Sequence, residues 1–561
     1  MKLGRRPTLA LLASLLVFNL LLRYPRSEHE IGVDSFFIHA LAGAILNDGH
    51  AEWILNPLSY FGWYPLSYPS AGPFYLASVG SLSGLNLEAA ILVVSLMLGP
   101  AGILSAFVMA REFRDDNVLA LFVALIYGLA PRFLSFTLWS ASTRNLFMAL
   151  LPILIWAVLR NYRRRSVPNA AVMAVSFMIL AATHRLVILI FVVVLAFLFA
   201  IIVQVALRIL RIRAPKIFLR NSVRRASPHL ALATVVVAVL AMLFGTNVLQ
   251  EYSEGELATG PELHVQLLNL SVNIARTAGL ALPLSLFGLV VISRQRNKTM
   301  REPFLVITLV ALIPTFFLRQ YTGFYILPFL AIFGGLGVKG ILNYLEIRPR
   351  AAGVAALALV VGIAGVSTAI LNIEIGRSST VTSETYTTGL YVKDLNAPGT
   401  MVANDGFIGI QVAALSGVRV LPVGGAGTTF QSPEVLAYGF YSGDEVNEQV
   451  VQVAITDLTI ESDSLWIATG IQAELDWVGM VQSLYGKVPG RLQTRYQPAY
   501  YLELNTAQGR FLAYGNVYCS DLGMSVHDHA YRIYDNGIQS LWWLQSPGIT
   551  PQVSNALKGC P

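Results

Sequence analysis

Residues 27–75 read SEHEIGVDSFFIHALAGAILNDGHAEWILNPLSYFGWYPLSYPSAGPFY. They follow the apolar run 7–23 and mix Glu28, Glu30, Asp34, His39, Asp48 and Glu52 with Trp53, Trp63 and a repeated Tyr-Pro pair. The stretch is too polar to span lipid, where unpaired polar groups are costly, and too aromatic for a solvated linker. It predicts a folded site at a membrane surface. Asp34 precedes SFFIHALAGAILN, apolar at 36, 37, 38, 41, 44, 45 and 46 and followed by Asp48-Gly49. That spacing predicts an interfacial amphipathic helix with a glycine stop.

The surroundings of this loop are membrane. The 561 residues are 55% hydrophobic and only 13% charged, with a mean hydropathy of +0.60, far more apolar than a soluble chain of this length. Apolar runs at 7–23, 88–110, 117–131, 143–159, 168–183, 186–207, 229–248, 272–293, 303–318, 323–343 and 351–372 predict a polytopic α-helical protein with about eleven spans. No small-residue cleavage site follows the first run, so it is expected to stay as a span. Lys and Arg collect in alternate loops: Lys2 to Arg6, Arg111 and Arg114, Arg160 to Arg165, seven between Arg208 and Arg225, Arg294 to Arg301, and Arg348 with Arg350. The intervening side keeps Arg23, Arg26, Arg132, Arg144, Arg185, Arg276 and Arg319. Because basic loops stay in the cytoplasm, the expected orientation is N-in, C-out. A full span at 71–84 would invert every later loop, so PFYLASVGSLSGL is expected to be a re-entrant or surface helix.

The predicted organisation is a membrane domain, 1–372, containing a first outer loop at 24–84, and an extracytoplasmic mixed α/β domain, 373–561. The second part holds nine Lys and Arg against seventeen Asp and Glu, so the net charge of +7 belongs to the membrane loops and does not point to nucleic acid. Turn signals at 396–399, 423–429 and 487–490 separate strand-like and helix-like pieces. AYRIYDNGIQSLWW, 530–543, is two alternating runs about Asp535-Asn536-Gly537, a hairpin signal. Cys519 and Cys560 both lie in this part, as one disulfide or two inert thiols.

Asp34 has two readings from position alone. It caps the helix by accepting a backbone N–H, or it takes a proton from an acceptor hydroxyl or binds a cation that balances a lipid phosphate. Glu30 would share its face if the helix began one turn earlier, and His39 lies five residues on; both are candidates for metal or acceptor contacts. Arg319-Gln320-Tyr321 stands near the outer end of a span, where a guanidinium can hold phosphate oxygens bidentately or snorkel to the interface. His184-Arg185 also sits at an outer span end and is a further donor-binding candidate. Arg132 and Arg144 flank the polar, aromatic FLSFTLWSAST, 133–143. His527-Asp528-His529 diverges too much for a metal site, and no phosphate-cradling glycine loop or nucleophile elbow is present.

GVDSFFIHALAGAILNDG, 32–49, resembles the first-loop acidic motif of the GT-C superfamily of membrane glycosyltransferases. GWYPLSYPSAGPFYLAS, 62–78, resembles the Tyr-Pro-rich segment of its archaeal members and of oligosaccharyltransferase catalytic subunits, and a mannosyltransferase-like layout is similar as well. LRQYTGFYILPFLAIFGGLG, 318–337, looks like the late span whose Arg reaches the donor phosphate. The resemblance implies an inverting hexosyl or pentosyl transferase that uses a polyprenyl- or dolichyl-phosphate sugar and a glycan, lipid or protein acceptor. In it Asp34 is base or metal ligand, with Mg or Mn as the candidate ion, and Arg319 with Tyr321 binds the phosphate. Two features depart from the family pattern. MVANDGFIGIQVAALSG, 401–417, stands where oligosaccharyltransferases carry Trp-Trp-Asp-Tyr-Gly, and SASTRN, 140–145, brings Arg144 where many members have a second carboxylate. A transporter or flippase, the competing class, would show an internal repeat or paired broken helices.

Overall fold

A computed structural model of the chain describes residues 3–25, 27–49, 71–184, 187, 189–209, 263–295, 299–315, 323–344, 351–373, 381–395, 400–403, 406–421, 498–504, 530–537 and 539–544. Its helices in chain order are α1 (Arg5–Arg23), α2 (Val33–Asp48), α3 (Ala71–Ser83), α4 (Leu87–Phe113), α5 (Asn117–Gly128), α6 (Pro131–Phe136), α7 (Thr143–Arg163), α8 (Val167–Thr183), α9 (Ile190–Ile209), α10 (Leu263–Ala278), α11 (Ala281–Arg294), α12 (Arg301–Leu312), α13 (Gly323–Tyr344), α14 (Ala351–Ile373), α15 (Ser383–Leu395) and α16 (Gly406–Ser416). The strands are β1 (Thr400–Ala403), β2 (Arg419–Leu421), β3 (Pro498–Leu504), β4 (Ala530–Asp535) and β5 (Gln539–Leu544). The chain groups into two units: Met1–Glu28 with Leu92–Ser378, and His29–Ile91 with Ser379–Pro561.

The first unit is helical. Among the described residues four helices, α1, α4, α7 and α13, are long and apolar enough to cross a bilayer, or five spans if the bent pair Leu270–Ala278 and Ala281–Arg294 counts as one. Shorter apolar helices cover Asn117–Gly128, Val167–Thr183, Ile190–Ala206 and Ala352–Ser367; the run 229–248 lies outside the described residues. Val172, Phe177, Met178 and Ile179 on α8, with Phe191, Leu195 and Phe199 on α9, are exposed, as a lipid-facing surface requires.

The run 272–293, expected as a span, is bent: the helical pieces Leu270–Ala278 and Ala281–Arg294 meet at 96°. Gly279 takes φ 51° at the break, a conformation open to glycine. Pro283 has no N–H to give the Gly279 carbonyl, so a straight helix cannot carry on through it. The Gly279 carbonyl accepts the Leu282 N–H at 3.0 Å instead.

Small residues let α11 and α13 approach backbone to backbone, the packing mode favoured between helices in lipid. A Cβ on Gly288 would collide with the Phe333 carbonyl, and one on Gly337 with that of Leu284. Ser285 Oγ donates across the seam to Leu330 O at 2.7 Å. Charges fix other contacts. Asp116 caps α5 by accepting from Val118 N and Leu119 N at 3.0 and 3.2 Å, and pairs with Lys339 on α13. Arg23, fully buried at the end of α1, donates to Thr137 Oγ1 at 2.8 Å, Asn19 Oδ1 at 2.6 Å and Gly128 O at 3.3 Å.

In the second unit a five-stranded sheet runs β2-β1-β3-β5-β4; β1 pairs in parallel with β2 and β3, and the remaining pairs are antiparallel. The hairpin expected at Asp535-Asn536-Gly537 joins β4 to β5, with Gly537 at φ 87° and its N–H donated to Asp535 Oδ1 at 2.8 Å. Helix α15 lies on this hairpin through Val392 and Leu541 in a shared core, and Tyr391 OH donates to Ile533 O at 2.9 Å. α15 packs on α16, α16 on α2, and α2 on α3.

The first outer loop carries both of the helices expected in it. α3 has 13 residues, about 20 Å of helix against a hydrocarbon core of about 30 Å, too short for a span. α2 ends at Gly49 in the left-handed region (φ 70°) as expected, but it is not an amphipathic interfacial helix. Ser35 to Ala42 are all buried, whichever way they point: Phe36, Phe37, Ile38, Leu41 and Ala42 are enclosed, and the polar Ser35 and His39, one turn apart, are buried against Glu30.

Candidate functional site

The segment that enters α2 folds around two carboxylates. Gly32, at φ 97°, is the N-cap of α2 and makes no side-chain cap. Asp34 is therefore the second residue of the helix, and the expected N-cap role falls to Gly32. The helix dipole favours an anion at that position. Glu30 stands before the helix rather than on its face. Its buried carboxylate accepts from Ser35 Oγ at 2.7 Å and pairs with His39 Nδ1, tying the entry loop to the first two turns.

Glu88, in the first turn of α4, holds the same loop from the other side. Its Oε1 lies 3.1 Å from His29 Nδ1 and accepts the Glu30 backbone N–H at 3.3 Å. His29 in turn stacks on Tyr386 of α15, ring centroids 3.7 Å apart and planes 20° from parallel. Burial, and secondly the Glu88 carboxylate, raise the Tyr386 phenol above its ordinary pKa. The chain Tyr386–His29–Glu88–Glu30–His39 thus fixes the backbone that carries Asp34. Sequence reasoning missed Glu88; its only local signal is a lone acidic residue opening an apolar run.

Glu30 binds its neighbours too closely to be spared. Glu30→Ala leaves Ser35 and His39 buried without that acceptor, so a loss of about 1–3 kcal/mol is expected, read as a lower thermal unfolding midpoint in detergent. An unchanged midpoint would show that the pair holds nothing. Among the described residues no three of His, Cys, Asp and Glu gather as metal ligands, and the Glu30 oxygens already face Ser35 and His39.

In the first unit a second constellation forms where α6, α7, α8, α10 and α13 begin or end. Ser142 caps α7 by accepting Arg144 N at 3.2 Å. The Arg144 and Arg132 guanidinium carbons stand 5.3 and 5.9 Å from the centre of the Phe136 ring, within cation–π range. Phe136 meets Phe324 edge to face at 5.5 Å. Phe147 joins His184, the C-cap of α8, at 5.9 Å to Tyr325 at 5.4 Å. Gly323 lies against Thr277, the neighbour of Arg276. Arginines from three elements and His184 thus share one end of the unit with the aromatic start of α13. Sequence reading noticed Arg132 and Arg144 but not that an aromatic ring joins them.

Arg319 precedes Phe324 by five residues; it lies outside the described residues, as do Tyr321, Arg185, Cys519, Cys560 and His527 to His529.

No protein-family model and no curated protein sequence matches the chain. Solved structures do. The oligosaccharyltransferase of Archaeoglobus fulgidus, tethered to an acceptor peptide containing the NVT sequon, is similar over 97% of this chain and 74% of its own, with TM-score 0.56 and 12% identity. ArnT from Cupriavidus metallidurans, bound to undecaprenyl phosphate, is similar over 97% and 98% of the two chains, with TM-score 0.51 and 12% identity. The chain has the GT-C fold. The mycobacterial arabinofuranosyltransferase AftD, with TM-score 0.50 and 15% identity, shares that GT-C fold over 97% of this chain and 40% of its own length. At such identities the GT-C likeness is one of architecture, and the chemistry is argued from the residues.

Proposed function

We propose that this membrane protein is a glycosyltransferase that moves a sugar from a polyprenyl- or dolichyl-phosphate donor to a glycan, lipid or protein acceptor on the outer face of the membrane. The observation that carries this reading is the pair Arg132 and Arg144 over Phe136, at the end of the unit that leads along the chain to Arg319. Arginines with aromatic neighbours suit a phosphate whose lipid stays in hydrocarbon. The GT-C fold supports the reaction class. One of its neighbours, the A. fulgidus enzyme, has also been solved with an inhibitory peptide and a dolichol-phosphate.

In this reading the Asp34 carboxylate takes the proton of an acceptor hydroxyl as the acceptor oxygen bonds to the anomeric carbon with inversion. The bond from that carbon to the phosphate oxygen breaks, and its electron pair leaves on the lipid phosphate. Arg319, with Tyr321, Arg185 and His184 as further donor contacts, stabilises that charge. The topology proposed with it is about eleven spans, N-in and C-out, with residues 373–561 extracytoplasmic. Cys519 and Cys560 would then be in a compartment that allows a disulfide.

Transfer of a whole oligosaccharide to a protein sequon is the weaker alternative, because 401–417 lacks the Trp-Trp-Asp-Tyr-Gly sequence. The deciding experiment supplies purified protein in vesicles with a labelled polyprenyl-phosphate sugar and mixed acceptors. A glycosylated product with released lipid phosphate is expected; uptake of the label without any product would make the protein a transporter. In the same assay Arg144→Gln is expected to raise the donor KM about tenfold, the loss of roughly one charge-assisted contact, and an unchanged KM would take Arg144 out of the donor site.

A further inference from the structure

A cavity of about 660 Å³ lies among α7, α8, α9, α12 and α13, in the size range of small-molecule sites. Leu154, Ile155, Met173, Val193, Phe197 and Phe329 make most of it apolar. Apart from Tyr325, its polar lining is gathered where α7 turns into α8: Asn161, Tyr162, Arg165 and Ser166. α8 packs on α7 and α9 on α12. Val167 of α8 and Val194 of α9 both line the cavity and are 83% and 41% exposed, so it is open on the side of these two helices. The outward faces of α8 and α9 are apolar, and in a membrane that opening meets hydrocarbon.

The basic end sets what fits. Arg160 and Arg163 share the Glu112 carboxylate at 3.2 and 3.1 Å. Arg165 has no carboxylate partner among the described residues. A charged side chain at the mouth of an otherwise apolar, lipid-facing cavity matches an amphiphile with an anionic head, and basic pockets between membrane helices take such headgroups. A purely apolar occupant would use the cavity and leave Arg165 unmatched. This end is also far from the arginine cluster described above. Arg144 is the second residue of α7 and Arg165 lies just past its end, about 32 Å along the axis at 1.5 Å per residue.

We propose that the cavity binds an anionic phospholipid, with one hydrocarbon tail between α8 and α9 and the phosphate on Arg165. Neither the donor nor the transfer reaction enters this assignment.

Native mass spectrometry of the full chain, titrated with phosphatidylglycerol and with phosphatidylcholine of the same tails, tests it. Wild type is expected to retain phosphatidylglycerol in preference. Arg165→Gln should weaken that preference about fivefold, the worth of one arginine near a lipid phosphate. Ala170→Trp should reduce retention of both lipids by filling the cavity, with thermal unfolding confirming that the variant is folded. Arg165 is exposed, so its substitution tests the site even if the tryptophan disturbs folding. Equal retention of the two lipids, an undiminished preference in Arg165→Gln, or no retained lipid because an apolar segment of the chain occupies the space would each overturn the assignment.

Discussion

Asp34→Asn is expected to lower glycosyl transfer by about 10²–10⁴-fold, the usual contribution of a positioned general base, with the protein still folded. Asn is nearly isosteric, and Asp34 is the second residue of α2, where the cap is the backbone of Gly32. A carboxylate in the first turn of a helix is favoured by the helix dipole by about 0.3–1 kcal/mol, and the substitution gives that up. The loop itself is held by Glu30 and Glu88, which the substitution leaves alone. Initial rates at saturating donor, set beside the unfolding midpoint, separate the two effects. A variant that transfers at the wild-type rate would remove Asp34 from the chemistry.

Gly337→Leu is expected to abolish the folded membrane unit. A Cβ at 337 would collide with the Leu284 carbonyl and stand 3.0 Å from Gly288 N, both backbone atoms that no rotamer change can move away. α11 and α13 would have to separate, and with them the Ser285 to Leu330 bond and the contact of α13 with α5. Overpacking a well-filled interior costs about 1–3 kcal/mol even where side chains can yield, and here they cannot. The check is the yield of monodisperse protein after detergent extraction, with Gly362→Leu as the control, since nothing lies within 4 Å of a Cβ there. Equal yields from the two variants would contradict the close packing of the seam.

Much of the architecture was legible because lipid imposes a simple code. Long apolar runs became α1, α4, α7 and α13, and Asp535-Asn536-Gly537 became a hairpin. The misreadings have local causes. Phe36-Phe37-Ile38 was assigned to one face of an amphipathic helix, yet three bulky apolar residues in a row face three directions, which marks a helix enclosed all round. The bend within 272–293 was not read from the sequence, although Gly279 and Pro283 stand four residues apart, the spacing that removes one backbone hydrogen bond. The site was legible only in part. Asp34, Glu30 and His39 lie within ten residues, so their common neighbourhood follows from the chain; Glu88 joins Glu30 across 58 residues, and no local pattern announces such a contact. The Arg132, Phe136 and Arg144 grouping lay within thirteen residues, but it took a turn between α6 and α7 to bring both guanidinium groups over one ring.

That arginines hold a lipid-linked phosphate is tested most directly by an electron cryo-microscopy map of the protein with a polyprenyl phosphate. Phosphate density within hydrogen-bonding distance of the Arg319 guanidinium is the predicted result. A map in which the phosphate binds elsewhere while Arg319 turns to water or to a carboxylate would contradict it.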